Sequence, residues 1–415
     1  APVTTAMVGV AIALSVATNS WVCRLKASQS GSDQAINHHI GRVLSFATIV
    51  TLLFSCLLYV SVPYIYSALG ASDTTSNALA PAALPLVVEY TELRVLGWVL
   101  LALVWQVNGI LRSLGHIKPA SLLLIGWMLA KSLVAYFWIG GGACDHVQGA
   151  GLIGAAYAHL IADGLFALLS VGLLARGLDL NLRDLAPHAW RFTATQLSVT
   201  GMNAGVQQLY TPLCIGVLTY CFALLGQDKV SVLGLVFRVE AMALLLPMVF
   251  TASLPGLMAA NWWAGKVNRV KRLLLVSFIA IAIVQLLSAW IIYANAEWLV
   301  RQLTQDLSLH QEVLSYLKIV PWSFVGAGCA MLTLSCLNAI GQSAQASLLG
   351  LSHRLGLALT LALVGTLVKG VEGAFWGIAL AHWLSLILVF LSLSRRIWRQ
   401  SNNETSTPVK IATEQ

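Results

Sequence analysis

From Ala241 to Ala260 there is no charged side chain. Coiled into a helix, a run of that length crosses a bilayer core of about 30 Å. Pro247 and Pro255 interrupt it. Such breaks are tolerated inside a membrane where neighbouring helices or a wet cavity satisfy the freed carbonyls. Arg238 and Glu240 lie near one end, still within the membrane-embedded stretch. At the other end stand Trp262 and Trp263, then Lys266, Arg269, Lys271 and Arg272. An aromatic anchor followed by a basic loop predicts that this end faces the cytoplasm.

The same pattern recurs along the chain. Apolar runs fall at approximately 3–22, 43–69, 86–111, 119–140, 149–175, 195–225, 230–260, 272–295, 313–338, 344–368 and 371–394. By the ~20-residue criterion these are about eleven spanning helices. Only 10% of the residues are charged and 58% are hydrophobic, whereas a soluble domain carries roughly 25% charged residues. The fold expected is an all-α integral membrane protein.

The net charge of +8 sits in short loops between the apolar runs, which is a positive-inside bias and argues against a nucleic-acid partner. One set of alternate loops carries Arg24 and Lys26, Arg112 and Lys118, Arg176, Arg183 and Arg191, Lys266 to Arg272, and Arg395, Arg396 and Arg399. The opposite set carries Lys229, Arg301, Lys318 and Lys369 mixed with acids. The final helix therefore ends inside. The cysteines form no CxxC pair, and most fall inside apolar runs as small hydrophobes. The first run lacks a basic preceding region and is not a signal peptide.

An internal repeat is visible. Ala6-Met7 recurs as Ala241-Met242, Gly41-Arg42-Val43 as Asn268-Arg269-Val270, Tyr90 as Tyr316 and Gly115 as Gly341. Ala120-Ser121-Leu122-Leu123 recurs as Ala346-Ser347-Leu348-Leu349, and Gly151-x-x-Gly154-Ala155 as Gly370-x-x-Gly373-Ala374. The matches are collinear, and both halves begin on the same side, so the repeat is parallel. In this register the run at 195–225 has no partner. The expectation is a chain lacking its first helix, with about twelve helices in two pseudo-symmetric bundles in the whole. The divisions expected are an N-terminal lobe at 1–177, a cytoplasmic link at 178–192, a C-terminal lobe at 193–398 and a polar, disordered tail at 399–415.

FRVEAMALLLPM at 237–248, followed by ANWWAGKVNRVKR at 260–272, resembles the R-x-E helix and Q-N-x-G-A-G loop of the multidrug and toxic compound extrusion transporters, in particular their DinF-like bacterial branch. NGILRSLGHIKPASLLL at 108–124 and GLIGAAYAHL at 151–160 resemble further segments of that family, and LNAIGQSAQASLL repeats the former. The resemblance covers nearly the whole chain. It implies two six-helix lobes around a central cavity, alternating access, and export of amphipathic, often cationic compounds in exchange for H⁺ or Na⁺. The chain departs from the family where Asn-x-x-x-Asp is common in the fifth helix: Lys131 and Ala135 align there.

Ionisable side chains deep in a bilayer are costly and are functional candidates by default. Glu240 is a candidate cavity carboxylate for a proton or cation. Arg238, two residues away, cannot face it on a helix, so each needs another partner, or water, unless the two form a structural pair with a neighbouring helix. Asp163 has His159 one turn before it on the same face, either as a proton relay or as a local hydrogen bond locking the bundle. His382 follows an alanine as His159 does, a turn out of register, and reads as a core histidine. Arg94 is deep and expects Glu89 or Glu92 as partner.

Asn203, Gln207, Tyr210 and Cys214 recur at helical spacing and form a polar stripe, suited to a substrate surface or to inter-helix hydrogen bonds. Lys131 stands alone in WMLAKSLVAYF and is a candidate built-in cation, with Asp163 its nearest acid in that lobe. There is no metal cluster, nucleophile elbow, paired-carboxylate signature or GxxxxGK[ST], so ATP is not the energy source within this chain. The expectation is a non-enzymatic, monomeric secondary exporter of small molecules with no cofactor. The alternatives are a lipid-linked saccharide flippase of the same superfamily and, less favoured, an intramembrane enzyme.

Overall fold

The computed structural model describes residues 2–27, 33–68, 83–140, 151–177 and 190–393. Residues 178–189 of the expected link and the tail 399–415 lie outside them. Trp190 opens the next described helix.

Helices follow one another throughout the described residues. The first five are α1 (Pro2–Ala27), α2 (Asp33–Ala68), α3 (Ala83–Ser113), α4 (Ile117–Gly140) and α5 (Gly151–Gly177). Next come α6 (Trp190–Leu225), α7 (Gln227–Ala243), α8 (Leu245–Trp263) and α9 (Val267–Ala294). The last are α10 (Ala296–Leu303), α11 (Leu307–Ile319), α12 (Phe324–Ala339), α13 (Ser343–Leu351) and α14 (Thr360–Leu393). Among the described residues ten spans are long and apolar enough to cross a membrane, the last running from Ser343 to Leu393. That span turns back at Lys369–Gly370, where Gly370 takes φ 62°, and crosses twice. The turned-back limbs lie backbone against backbone: a Cβ at Gly365 would strike the Gly373 carbonyl, and one at Gly377 the Leu361 carbonyl. With that fold-back the count agrees with the eleven apolar runs.

The chain divides into two compact units, Ala1–Leu209 and Tyr210–Gln415, with the boundary inside α6. In the first, α3 is the hub and packs on α1, α2, α4 and α5. Its buried residues Val95, Trp98, Ala102, Val104, Val107 and Leu111 recur at helical spacing and build the core of that unit. In the second, Phe222, Leu233, Val313, Tyr316, Phe324 and Phe375 close a larger core.

The repeat is visible in the turns. Gly115 (φ 93°) and Gly341 (φ 79°) both take the left-handed conformation that ends a helix. Gly115 N donates to Arg112 O at 3.0 Å and His116 N to Leu111 O at 2.8 Å. Gly341 N donates to Asn338 O at 3.1 Å and Gln342 N to Leu337 O at 2.8 Å. The same paired bonds thus close the same turn in each unit.

The run at 230–260 is broken at Leu244, between α7 and α8. Pro247 has no N–H for the carbonyl of Ala243, and its ring crowds that carbonyl. Gln285 of α9, fully buried, supplies the missing donor: its Nε2 reaches Ala243 O at 3.2 Å. Pro255 sits inside α8 without breaking it.

Candidate functional site

The break leaves Glu240 in the last turn of α7, 9% exposed. Its partners come from other helices. Tyr316 of α11, fully buried, donates its hydroxyl to Glu240 Oε2 at 3.3 Å, and Arg354 Nη1 lies 3.9 Å from Oε1. Tyr316 is fixed edge-on against Phe375, ring centroids 5.1 Å apart. Arg354 stands on a π-helical stretch, Ser352–Leu359, between α13 and α14. Wider turns of this kind re-aim side chains and cluster at functional sites. Arg238 is exposed on the same helix, and the separate partner that Glu240 requires is Arg354. Residues two apart on a helix point to different faces, which is the physical reason.

Glu240 and Arg354 line a cavity of about 210 Å³ together with Thr211, Cys214, Phe237 and His382. His382, buried, meets Ser323 Oγ at its Nδ1, 3.0 Å away. It also stacks on His353, ring centroids 5.8 Å apart. His353 in turn is hydrogen-bonded through Nδ1 to Ser385. His382 is therefore held as a bonded core histidine that also reaches the cavity wall.

In the first unit Asp163 of α5 is fully buried. Trp127 donates Nε1–H to Asp163 Oδ1 at 2.8 Å. Lys131 Nζ is 3.4 Å from the same oxygen, and Arg94 Nη1 is 3.7 Å from Oδ2. On α4, Leu123, Trp127 and Lys131 form one inward stripe, while Leu122, Ile125, Leu129 and Leu133 are exposed as a lipid-facing surface would be. Lys131 therefore has its acid. Arg94 also pairs with Asp163, while Glu89 and Glu92 make no ion pair with it among the described residues. The expected His159–Asp163 bond is not formed: His159 Nδ1 is buried without a hydrogen-bond partner. Trp127 occupies the near oxygen of the carboxylate instead.

Counted from the matched glycines, Asp163 falls where His382 does, and Trp127 where His353 does. The polar centre of each unit is thus built at equivalent positions from different side chains. The stripe on α6 is divided between the units. Tyr210 bonds Ser347 Oγ at 2.8 Å and Cys214 faces the cavity, both in the second. Asn203 and Gln207 lie half-buried in the first.

Three partners were not singled out from sequence: Tyr316 and Trp127, whose ring polarity leaves no periodic signal, and Arg354 as the partner of Glu240. The repeat of Tyr90 at Tyr316 and the charge of Arg354 within an apolar run were the available signals. No group of three or more His, Cys, Asp or Glu side chains that could hold a metal ion occurs among the described residues.

Multiple spanning helices with ionisable groups inside each bundle mark a multi-pass integral membrane protein. The MatE family model matches residues 204–363. The crystal structure of the Vibrio cholerae MATE transporter VcmN in its bent form is similar with a TM-score of 0.84, at 22% identity, over 98% of this chain and 88% of that one. A MOP superfamily transporter from Pyrococcus furiosus, whose structure is described as suggesting a different function from the reverse polarity of its binding pocket, gives a TM-score of 0.84 at 19% identity, over 96% and 87% of the two chains. The FAD transporter of Shewanella oneidensis is 26% identical over 403 residues, 95% of this chain and 85% of that relative. The fold is that of the two-lobe MATE bundles, and the class is a multi-pass transporter of small molecules, not an enzyme.

Proposed function

We propose that this chain is a secondary active transporter of a bacterial inner membrane. It exports amphipathic small molecules, cationic ones among them, in exchange for protons by alternating access, and Glu240 carries the proton. The carrying observation is the cavity of about 210 Å³ in which one buried carboxylate faces one guanidinium at 3.9 Å. Ionised, Glu240 pairs with Arg354 and accepts from Tyr316. Protonated, it releases Arg354. These two arrangements are the discrete states that a proton and a cargo molecule can bias in opposite directions. The groups facing Glu240 from the surrounding helices are Arg354, Tyr316, His382 and Cys214. A sodium ion entering there meets the guanidinium, whereas a proton needs only one carboxylate oxygen, which favours H⁺ over Na⁺. The Shewanella relative brings flavin adenine dinucleotide into the set of cargoes to be assayed.

The test is efflux from proteoliposomes under an imposed pH gradient, with ethidium and flavin adenine dinucleotide as separate cargoes. Glu240→Gln is expected to insert and fold, yet to lose pH-driven export by at least about tenfold, the scale of a lost coupling interaction. Normal export by Glu240→Gln rejects the assignment. Export driven by a sodium gradient and not by a pH gradient replaces the proton with sodium.

A further inference from the structure

We propose that the first unit holds a binding site for an anionic group, a phosphate or carboxylate, framed by Arg94, Lys131 and His159 around Asp163. As the site for an acidic group of the cargo, it rests on the transporter reading above.

The first observation is charge. Two basic side chains, Arg94 at 3.7 Å and Lys131 at 3.4 Å, share the single carboxylate of Asp163. All three lie within candidate membrane spans. Glu89 and Glu92 are the other acidic side chains described in this unit, and neither enters an ion pair within 4.0 Å among the described residues. Glu92, two residues before Arg94, points to another face of α3. Among the described residues one basic side chain is thus left without a counter-charge inside the bundle, an expensive arrangement in a low-dielectric interior if charged.

The second observation is hydrogen bonding. Arg94 Nε, His159 Nδ1 and Asp163 Oδ2 are buried without hydrogen-bond partners. Two of these can donate, and an acceptor-rich anion satisfies donors that the protein leaves open. A guanidinium fork matches phosphate or carboxylate oxygens in two parallel bonds. Lys131, held over the Trp127 ring at 4.3 Å from its centroid, adds a second basic group against the same carboxylate. The side chains of Arg94 and Lys131 are 14% and 15% exposed while that of Asp163 is 0% exposed. The cations can therefore be reached from outside the core, and the carboxylate that anchors them cannot.

The matched centre in the second unit shows the contrast. There His382 and His353 take the positions of Asp163 and Trp127, and Arg354 faces Glu240 one to one. Among the described residues, the matched centre of the second unit carries no such excess of Lys and Arg over acidic side chains. A cation arriving there would meet two like charges, which excludes a sodium-type role for Asp163.

The ligand chemistry has two sources, an acidic group on the cargo or the headgroup of an anionic lipid. Purified protein in phosphatidylcholine nanodiscs is titrated with inorganic pyrophosphate by calorimetry. Saturable binding is expected, weakened at least about tenfold, or 1.4 kcal/mol, in Lys131→Gln and recovered in Lys131→Arg. Lys131→Gln leaves Arg94 and Asp163 as a balanced pair, and an unchanged melting temperature confirms that it folds.

Phosphatidylglycerol nanodiscs separate the sources. Loss of pyrophosphate binding there, with a rise in melting temperature that Lys131→Gln lacks, assigns the site to a lipid headgroup. Retained binding assigns it to the cargo. Equal pyrophosphate affinity in wild type and Lys131→Gln, or no effect of either phosphate form, overturns the site. Pyrophosphate binding without pH-driven efflux overturns the transporter reading and leaves the site standing. Efflux without binding does the reverse.

Discussion

Gln285 donates its side-chain amide to the carbonyl of Ala243, the acceptor that Pro247 leaves without an N–H. The bond lets α7 end one turn after Glu240 inside an apolar core without leaving a naked carbonyl there. Gln285→Leu is expected to lower stability by about 1–3 kcal/mol, the cost of a buried unsatisfied group. Combining it with Pro247→Ala restores the helical donor and recovers much of the loss. Thermal unfolding in detergent reads both; additive losses in the double variant would show that the two residues act separately.

Asp163 anchors two cations, and its two neighbours are not equivalent to it in consequence. Asp163→Asn leaves Arg94 and Lys131 without a carboxylate and should cost about 3–5 kcal/mol. Lys131→Gln should cost far less, because Arg94 and Trp127 still satisfy Asp163. The comparison is made on melting temperature and yield. Equal losses in the two variants would mean that Asp163 is not the anchor.

Two glycines test how tightly the second unit is packed relative to the first. A Cβ at Gly326 would run into the backbone carbonyl of His382, whereas one at Gly172 finds nothing within 4 Å. Gly326→Ala should cost about 1–3 kcal/mol by overpacking and disturb the bond between His382 and Ser323. Gly172→Ala, inside α5, should be neutral or stabilise by about 0.5–1 kcal/mol through helix propensity. A tolerated Gly326→Ala would contradict the close approach of α12 to α14.

Asp306 caps α11 outside the membrane, accepting from the hydroxyl of Ser308 at 2.7 Å and from its backbone N–H at 2.9 Å. Those bonds favour the charged form and hold the carboxyl below its ordinary value. A carboxyl whose folded value is lowered contributes stability above its unfolded pKa and loses it as pH falls through the folded one. Hydrogen exchange at the first turn of α11 should therefore accelerate in Asp306→Ala at neutral pH. The difference from wild type should vanish in acid; a difference that persists there would assign the protection to something other than the carboxylate.

The spans, the loop-charge bias and the repeat were legible because they are local or periodic. A bilayer demands about twenty apolar residues per crossing, and Gly115 and Gly341 recur because only glycine adopts a left-handed turn without strain. Glu240 and Asp163 stood out too, since a charge in an apolar run is conspicuous. Their partners did not. His159 is the sequence neighbour of Asp163, yet Trp127, Lys131 and Arg94, from α4 and α3, take its oxygens. Arg238 is the sequence neighbour of Glu240, yet Arg354 and Tyr316 take its place.

By itself the sequence determined that this is a many-helix membrane protein with recurring segments in its two halves, because hydrocarbon solvates no backbone and tolerates few charges. Which charges meet was decided only by the tertiary structure. Helix rotation, the break at Leu244 and the π-helical stretch at Ser352–Leu359 aim side chains that lie far apart in the chain, and no periodicity along one helix records how its neighbour is turned.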